Sequence, residues 1–154
     1  IDASRLVAVN KVLIPTGVLA PVAGTPFDFT KPHVVGDRIN DTSSDQIVLG
    51  GGYDHCWALD KPAGSYAKIA TVQDPVSGRK MTVSTDQPGV QFYTGNFLDG
   101  HLMGKYGVQI TKRHGLCLET EHFPDSPNQP NFPSTVLRPG EVYKTKTAYQ
   151  FSVN

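Results

Sequence analysis

An antiparallel, all-β sandwich is the fold class that this 154-residue sequence predicts. Runs rich in Val, Ile, Thr, Tyr and Phe are short, and fifteen glycines and twelve prolines are scattered between them rather than gathered into a linker. No stretch keeps a 3.6-residue apolar period over the ten or more positions that an amphipathic helix needs. The last run, Glu141 to Val153, alternates instead: Tyr143, Tyr149, Phe151 and Val153 fall on one side, with Lys144, Lys146, Gln150 and Ser152 on the other. Period two implies a strand with one packed and one wet face.

The strand candidates follow in order. Leu6 to Pro15 comes first, then Cys56 to Leu59, Tyr66 to Gln73 and Lys80 to Thr85. Asp74-Pro75-Val76-Ser77-Gly78 lies between the third and fourth and reads as a hairpin connection. Val90 to Tyr93 and Leu116 to Thr120 come next. Phe123 to Ser134 holds prolines at 124, 127, 130 and 133, which break helix and ladder alike, so an extended loop is expected. Arg138-Pro139-Gly140-Glu141 then reads as a turn into the final strand. The length suits one domain with a moderate core, and no internal repeat divides it.

Fourteen basic residues balance fourteen acidic ones. No global field then draws the chain to nucleic acid or to an anionic membrane, and an uncharged small molecule is the expected partner. Apolar runs such as Val12 to Ile14 fall far short of the ~20 residues a bilayer requires, and nothing reads as a signal peptide. Cys56 and Cys117 form no CxxC pair and cannot build a disulfide framework or a structural zinc site, so both read as buried free thiols. A cytoplasmic location is expected. Ile1 is not an initiator Met, which suggests one piece of a longer polypeptide.

Three polar clusters interrupt the strand pattern. In Gly50-Gly51-Gly52-Tyr53-Asp54-His55-Cys56-Trp57 three glycines lead into an acid, a histidine and the sole Trp. No P-loop Lys follows, so a strand entry carrying a polar pair is the simpler reading, with Asp54 either functional or a turn former. Gln87 to Phe97 sets aromatics beside Gln91 and Asn96, the mixture a sugar site uses, with ring faces against C–H groups and amides on hydroxyls. An ordinary aromatic core strand is the competing reading. In Gly115 to Phe123, alternation puts Leu116 and Leu118 on one face and Cys117, Glu119 and Glu121 on the other. Partial desolvation of mid-strand Glu119 would raise its pKa toward that of a useful general base. Glu121 and His122, nearer the exit, are expected to be solvated or to anchor the loop. His33, His101 and His114 lie in turn-like surroundings without an assigned role.

Five segments in order then match one family: AGTPFDF (Ala23 to Phe29), GYDHCWAL (Gly52 to Leu59), PGVQFYTGNFLDG (Pro88 to Gly100), GLCLETEHFPDSPNQPNFP (Gly115 to Pro133) and LRPGEVYKTKTAYQFSV (Leu137 to Val153). Together they resemble the C-terminal part of the galactose mutarotase (aldose 1-epimerase) family over essentially the whole chain. The resemblance implies the C-terminal portion of one large antiparallel β-sandwich, the galactose mutarotase-like supersandwich, with an open groove for a free aldohexose such as galactose or glucose. It implies interconversion of α and β anomers by acid–base ring opening, with no metal and no redox cofactor. Residue by residue, it makes Glu119 the catalytic base and assigns Asp54 and Gln91 to sugar binding. Alternation favours Tyr93 over Phe92 on the side of Gln91.

The family's acid histidine, in an N-H-x-Y-F-N-L context, has no counterpart among the five histidines. The expected partner is therefore an N-terminal half, supplied by the same enzyme or by a separate chain. A carbohydrate-binding module without catalysis is the alternative reading. A phosphorylated-sugar epimerase, which would need a cationic phosphate pocket, and a retaining glycosidase, with a second carboxylate about 5 Å from the first, rank below it.

Overall fold

The computed structural model describes residues 1–153. Ten strands make up most of the regular structure: β1 (Arg5–Val9), β2 (Pro15–Pro21), β3 (Asp54–Ala58), β4 (Ala67–Gln73), β5 (Arg79–Thr85), β6 (Gly89–Tyr93), β7 (Asp99–Met103), β8 (Gln109–Thr111), β9 (Cys117–Glu121) and β10 (Thr147–Val153). A five-stranded sheet runs β2-β1-β3-β6-β9, a three-stranded sheet runs β10-β5-β4, and β7 and β8 pair as a hairpin. Every pairing is antiparallel.

The two larger sheets share one core. Leu6, Trp57, Val90, Phe92 and Leu118 from the first meet Ile69, Ala70 and Val83 from the second. Between them sits an aromatic cluster in which Tyr53 stacks on Phe92 (centroids 5.7 Å from Phe27 and 5.4 Å from Phe92). The polar tips in this cluster are satisfied: the Tyr53 hydroxyl donates to the Pro26 carbonyl and the Trp57 indole N–H to the Phe27 carbonyl.

Several sequence expectations change. The first strand candidate is two elements, because the Asn10 side chain accepts hydrogen bonds from the N–H groups of Val12 and Ile14 and closes a turn between them. The triple glycine ends a six-residue helix, α1 (Asp45–Gly50), with Gly51 left-handed at its C-cap. Gly52 follows at φ +137°, where a Cβ would sit 2.5 Å from the Asn96 amide oxygen. Asn96 in turn donates to the carbonyls of Gly50 and Tyr53, so this entry is rigidly tied.

The final strand is shorter than its alternation suggests, beginning at Thr147. Its apolar side is not packed: Phe151 and Val153 are 74% and 73% exposed. Of the two cysteines Cys56 is buried, but Cys117 is exposed.

The proline-rich segment is a loop with a single 3-10 turn at Ser126–Asn128. Phe123 and Phe132 from it meet edge to face and pack with Val7, Cys56 and Ala58. This second apolar cluster covers part of the five-stranded sheet on the side away from the main core. Asn131 and Gln129 fasten the loop to β2 by donating to the carbonyls of Gly17 and Pro15.

Candidate functional site

The site follows from strand register. In β3–β6–β9, Asp54 lies opposite Tyr93, Cys56 opposite Gln91, and Gln91 opposite Glu119. Directly opposed residues share a face, and so do residues two apart. Asp54, Gln91, Tyr93, Glu119 and Glu121 therefore project from one side, while His55, Trp57, Val90, Phe92 and Leu118 fill the core on the other. The three residues singled out in the sequence are thus brought together, and Tyr93 lies on the side of Gln91.

These side chains line an open groove of about 380 Å³, with Phe97 and Pro124 completing its wall. The Gln91 amide donates to the Asp54 carboxylate at 2.8 Å, which fixes both groups. Its own carbonyl oxygen is buried without a partner. An unpaired buried acceptor costs free energy until something donates to it, so this oxygen is prepared for an O–H group. Tyr93 and Phe97 stack with centroids 6.2 Å apart, and the Tyr93 hydroxyl accepts the Phe97 N–H. That pair makes a flat apolar wall beside the amide and carboxylates, suited to the C–H face of a pyranose.

The two glutamates differ from their expected environments. Glu119 is exposed at the middle of β9. The desolvated carboxyl is that of Glu121, half-buried, with one oxygen shut away from any hydrogen-bond partner. Burial first, then the negative charge of Glu119, pushes Glu121 up to about 7. The cause lies where β9 runs out into the loop. Glu121 faces Gly89 across the ladder, and a Cβ on Gly89 would come 2.7 Å from the Cys56 sulfur and 2.9 Å from the Phe123 ring. Loop residues packed over the strand end thus shield Glu121, while Glu119 stands clear of them.

The buried histidine of this region is structural. His55 packs edge-on against Phe27 at 4.9 Å, accepts the Asp54 N–H at Nδ1, and leaves Nε2 buried without a partner. Burial lowers its pKa to about 4, which keeps the ring neutral. It points to the core rather than to the groove. Chemically, the groove supplies carboxylate and amide acceptors, an aromatic wall, and one exposed carboxylate able to take a proton from a bound hydroxyl.

Comparison with known proteins agrees over the whole chain. The family model described as aldose 1-epimerase matches residues 1–150. Galactose mutarotase from Mus musculus is 49% identical over 153 residues, covering 99% of this chain and 43% of the relative. Aldose 1-epimerase from Escherichia coli (strain K12) is 35% identical over 151 residues, covering 97% and 43%. Among solved structures, an aldose epimerase homologue from C. elegans matches with a TM-score of 0.82 at 26% identity, covering 99% of this chain and 44% of that one. The chain spans less than half the length of the relatives it matches.

Proposed function

The chain belongs to the aldose 1-epimerase family, and on that premise we propose that it is the C-terminal, base-bearing portion of a mutarotase. Joined with an N-terminal part, it interconverts the α and β anomers of free hexoses such as galactose and glucose. The observation that carries this reading is the register that sets Glu119 opposite Gln91, with Gln91 hydrogen-bonded to Asp54 on the same face.

In this reading Asp54 and the free carbonyl of Gln91 accept sugar hydroxyl protons and hold the ring against the Tyr93–Phe97 wall. Glu119 takes the proton from the C1 hydroxyl as general base. As the C1–O–H electrons form the aldehyde, the C1–ring-oxygen bond breaks and the ring oxygen takes a proton from an acid. That acid belongs to the N-terminal part. After rotation about C1–C2 the steps reverse: the C5 hydroxyl attacks the other carbonyl face, and Glu119 returns the proton to the new C1 oxygen. A base acting without its acid forfeits on the order of 10²–10⁴ in rate, the usual contribution of one positioned proton donor.

The same reading makes residues 1–154 one portion of a single sandwich domain. The apolar face of the three-stranded sheet supports this. Val83 and Ala70 on that face are buried in the core, whereas Val72, Met81, Phe151 and Val153 on the same face line a bare cavity of about 510 Å³. An apolar face that continues a packed core into solvent is a surface for further strands.

The test is polarimetric. This chain, co-expressed with the N-terminal part of a family member, should speed the relaxation of freshly dissolved α-galactose well beyond the buffer rate. A folded complex giving the buffer rate would sink the reading.

A further inference from the structure

Glu121 is the one ionisable side chain of the groove that the mechanism leaves without a task. It lies two residues beyond Glu119 on β9, on the same face, and lines the same groove. One of its oxygens is buried with no hydrogen-bond partner. Its near neighbours are the Cys56 thiol of β3, Gln91 of β6, Glu119 of its own strand and the uncharged Pro124 of the loop, while Asp54, Tyr93 and Phe97 line the far end of the same groove. Gly89, directly opposite, brings no side chain. No lysine, arginine or histidine lines the groove among the described residues. An ionised Glu121 would therefore have Glu119 as a negative neighbour, no counter-charge and one unsolvated oxygen, whereas its neutral form avoids most of that cost. The shift of this group to about 7 points the same way.

A donor inventory says what a neutral Glu121 would contribute. One Gln91 N–H is spent on Asp54, so the second Gln91 N–H and the Tyr93 O–H are the remaining donors of the groove against the acceptor oxygens of Asp54, Gln91 and Glu119. A polyol can satisfy those acceptors with its O–H groups, but its own oxygens then need a donor. Building on the mutarotase reading, we propose that Glu121 is a further substrate-contacting residue, a carboxylic acid that donates a hydrogen bond to a sugar oxygen beside Glu119. No proton is transferred. Ionisation removes the donor and adds a second negative charge next to the base, so sugar affinity falls as Glu121 loses its proton.

The experiment measures KM and kcat for galactose from pH 5.5 to 9 in the complete enzyme, alongside Glu121→Gln and Glu121→Leu. The wild-type KM should rise about tenfold per pH unit above neutrality, following the loss of one proton. Glu121→Gln, which cannot ionise and keeps an N–H donor, should flatten that rise and hold KM at pH 6 within about threefold of wild type. Glu121→Leu should raise KM about tenfold at every pH, the ordinary effect of one lost hydrogen bond to a bound group. A wild-type KM that is flat with pH, or a Glu121→Leu enzyme with unchanged KM, overturns the proposal.

A second readout keeps the two readings separate. Carboxyl ¹³C resonances of Glu-labelled protein, without sugar, should show one signal titrating near 7 that vanishes in Glu121→Gln. Titration of that signal in the ordinary glutamate range overturns the proposal even if Glu121→Leu does not fold. If the complete enzyme proves inactive, the mutarotase reading fails, while the titration and galactose binding by calorimetry in wild type and Glu121→Gln still judge Glu121.

Discussion

The five-stranded and three-stranded sheets carry the same period-two alternation, yet they end in different states. On the first, Phe92 and Leu118 are covered by the core, and the opposite face is covered in part by the loop from Phe123 to Phe132. On the second, β10 offers Tyr149, Phe151 and Val153 on one side just as regularly, and all three are exposed. Alternation specifies which residues share a face. Whether the face is covered depends on what chain lies opposite, and that is settled elsewhere in the sequence. The uncovered region is where we propose that an N-terminal part packs, and the partly covered sheet holds the groove lined by Asp54, Gln91 and Glu119.

Substitutions can break or sharpen that contrast. Phe92→Ala in the complete enzyme should cost about 3–5 kcal/mol, the price of a large core truncation, read from urea unfolding. Phe151→Asp should act in opposite directions in two settings. It should turn the isolated chain from an associating species into one eluting nearer its 16.7 kDa mass, and it should weaken pairing with the N-terminal part. If size-exclusion chromatography shows the unaltered isolated chain as a cooperatively melting monomer, the face needs no cover and the contrast fails.

A smaller effect concerns pH. The His55 pKa is lowered in the folded state, so its contribution to stability is complete above about 6.5 and is lost as pH falls from there toward 4. The difference in unfolding free energy between wild type and His55→Gln should change by roughly 3 kcal/mol across that window. A constant difference would mean that His55 is not the buried neutral ring described. Asp54→Asn keeps the size of the side chain but removes a charged acceptor, and should raise KM for galactose by about tenfold with a smaller change in kcat. The smallest effect is expected at Tyr149→Phe, which removes the hydroxyl that donates to the Leu118 carbonyl at 2.7 Å and ties the two sheets together. About 1 kcal/mol is the expected loss.

Much of the fold and site was legible because the relevant signals are local. Alternation and turn residues marked β3, β4, β5, β6 and β9 to within about two residues, in line with the usual uncertainty of element ends. The convergence of Asp54, Gln91 and Glu119 on one groove was anticipated from the family motifs. The hairpin β7–β8 was not, because Leu102, Met103 and Val108 are exposed there and apolar residues without a buried face give no contrast to read. Helix α1 is six residues long, shorter than any window in which a helical period can be counted. The exchange of environment between Glu119 and Glu121 lay beyond sequence reading for a different reason. It is set by bare Gly89, distant in the chain but opposite across the ladder, and by Phe123, close in sequence but packed over the strand end in a way that no alternation shows.

The central claim is that Glu119 is the base of a sugar groove in which Asp54 and Gln91 hold the substrate. Its most direct test is the mutarotation rate of α-galactose in the complete enzyme carrying Glu119→Gln, with galactose binding measured on the same sample. The account predicts a rate lower by about 10²–10⁴ with affinity changed by less than about tenfold. A rate within a few-fold of wild type, with the substitution verified and the protein folded, would contradict it.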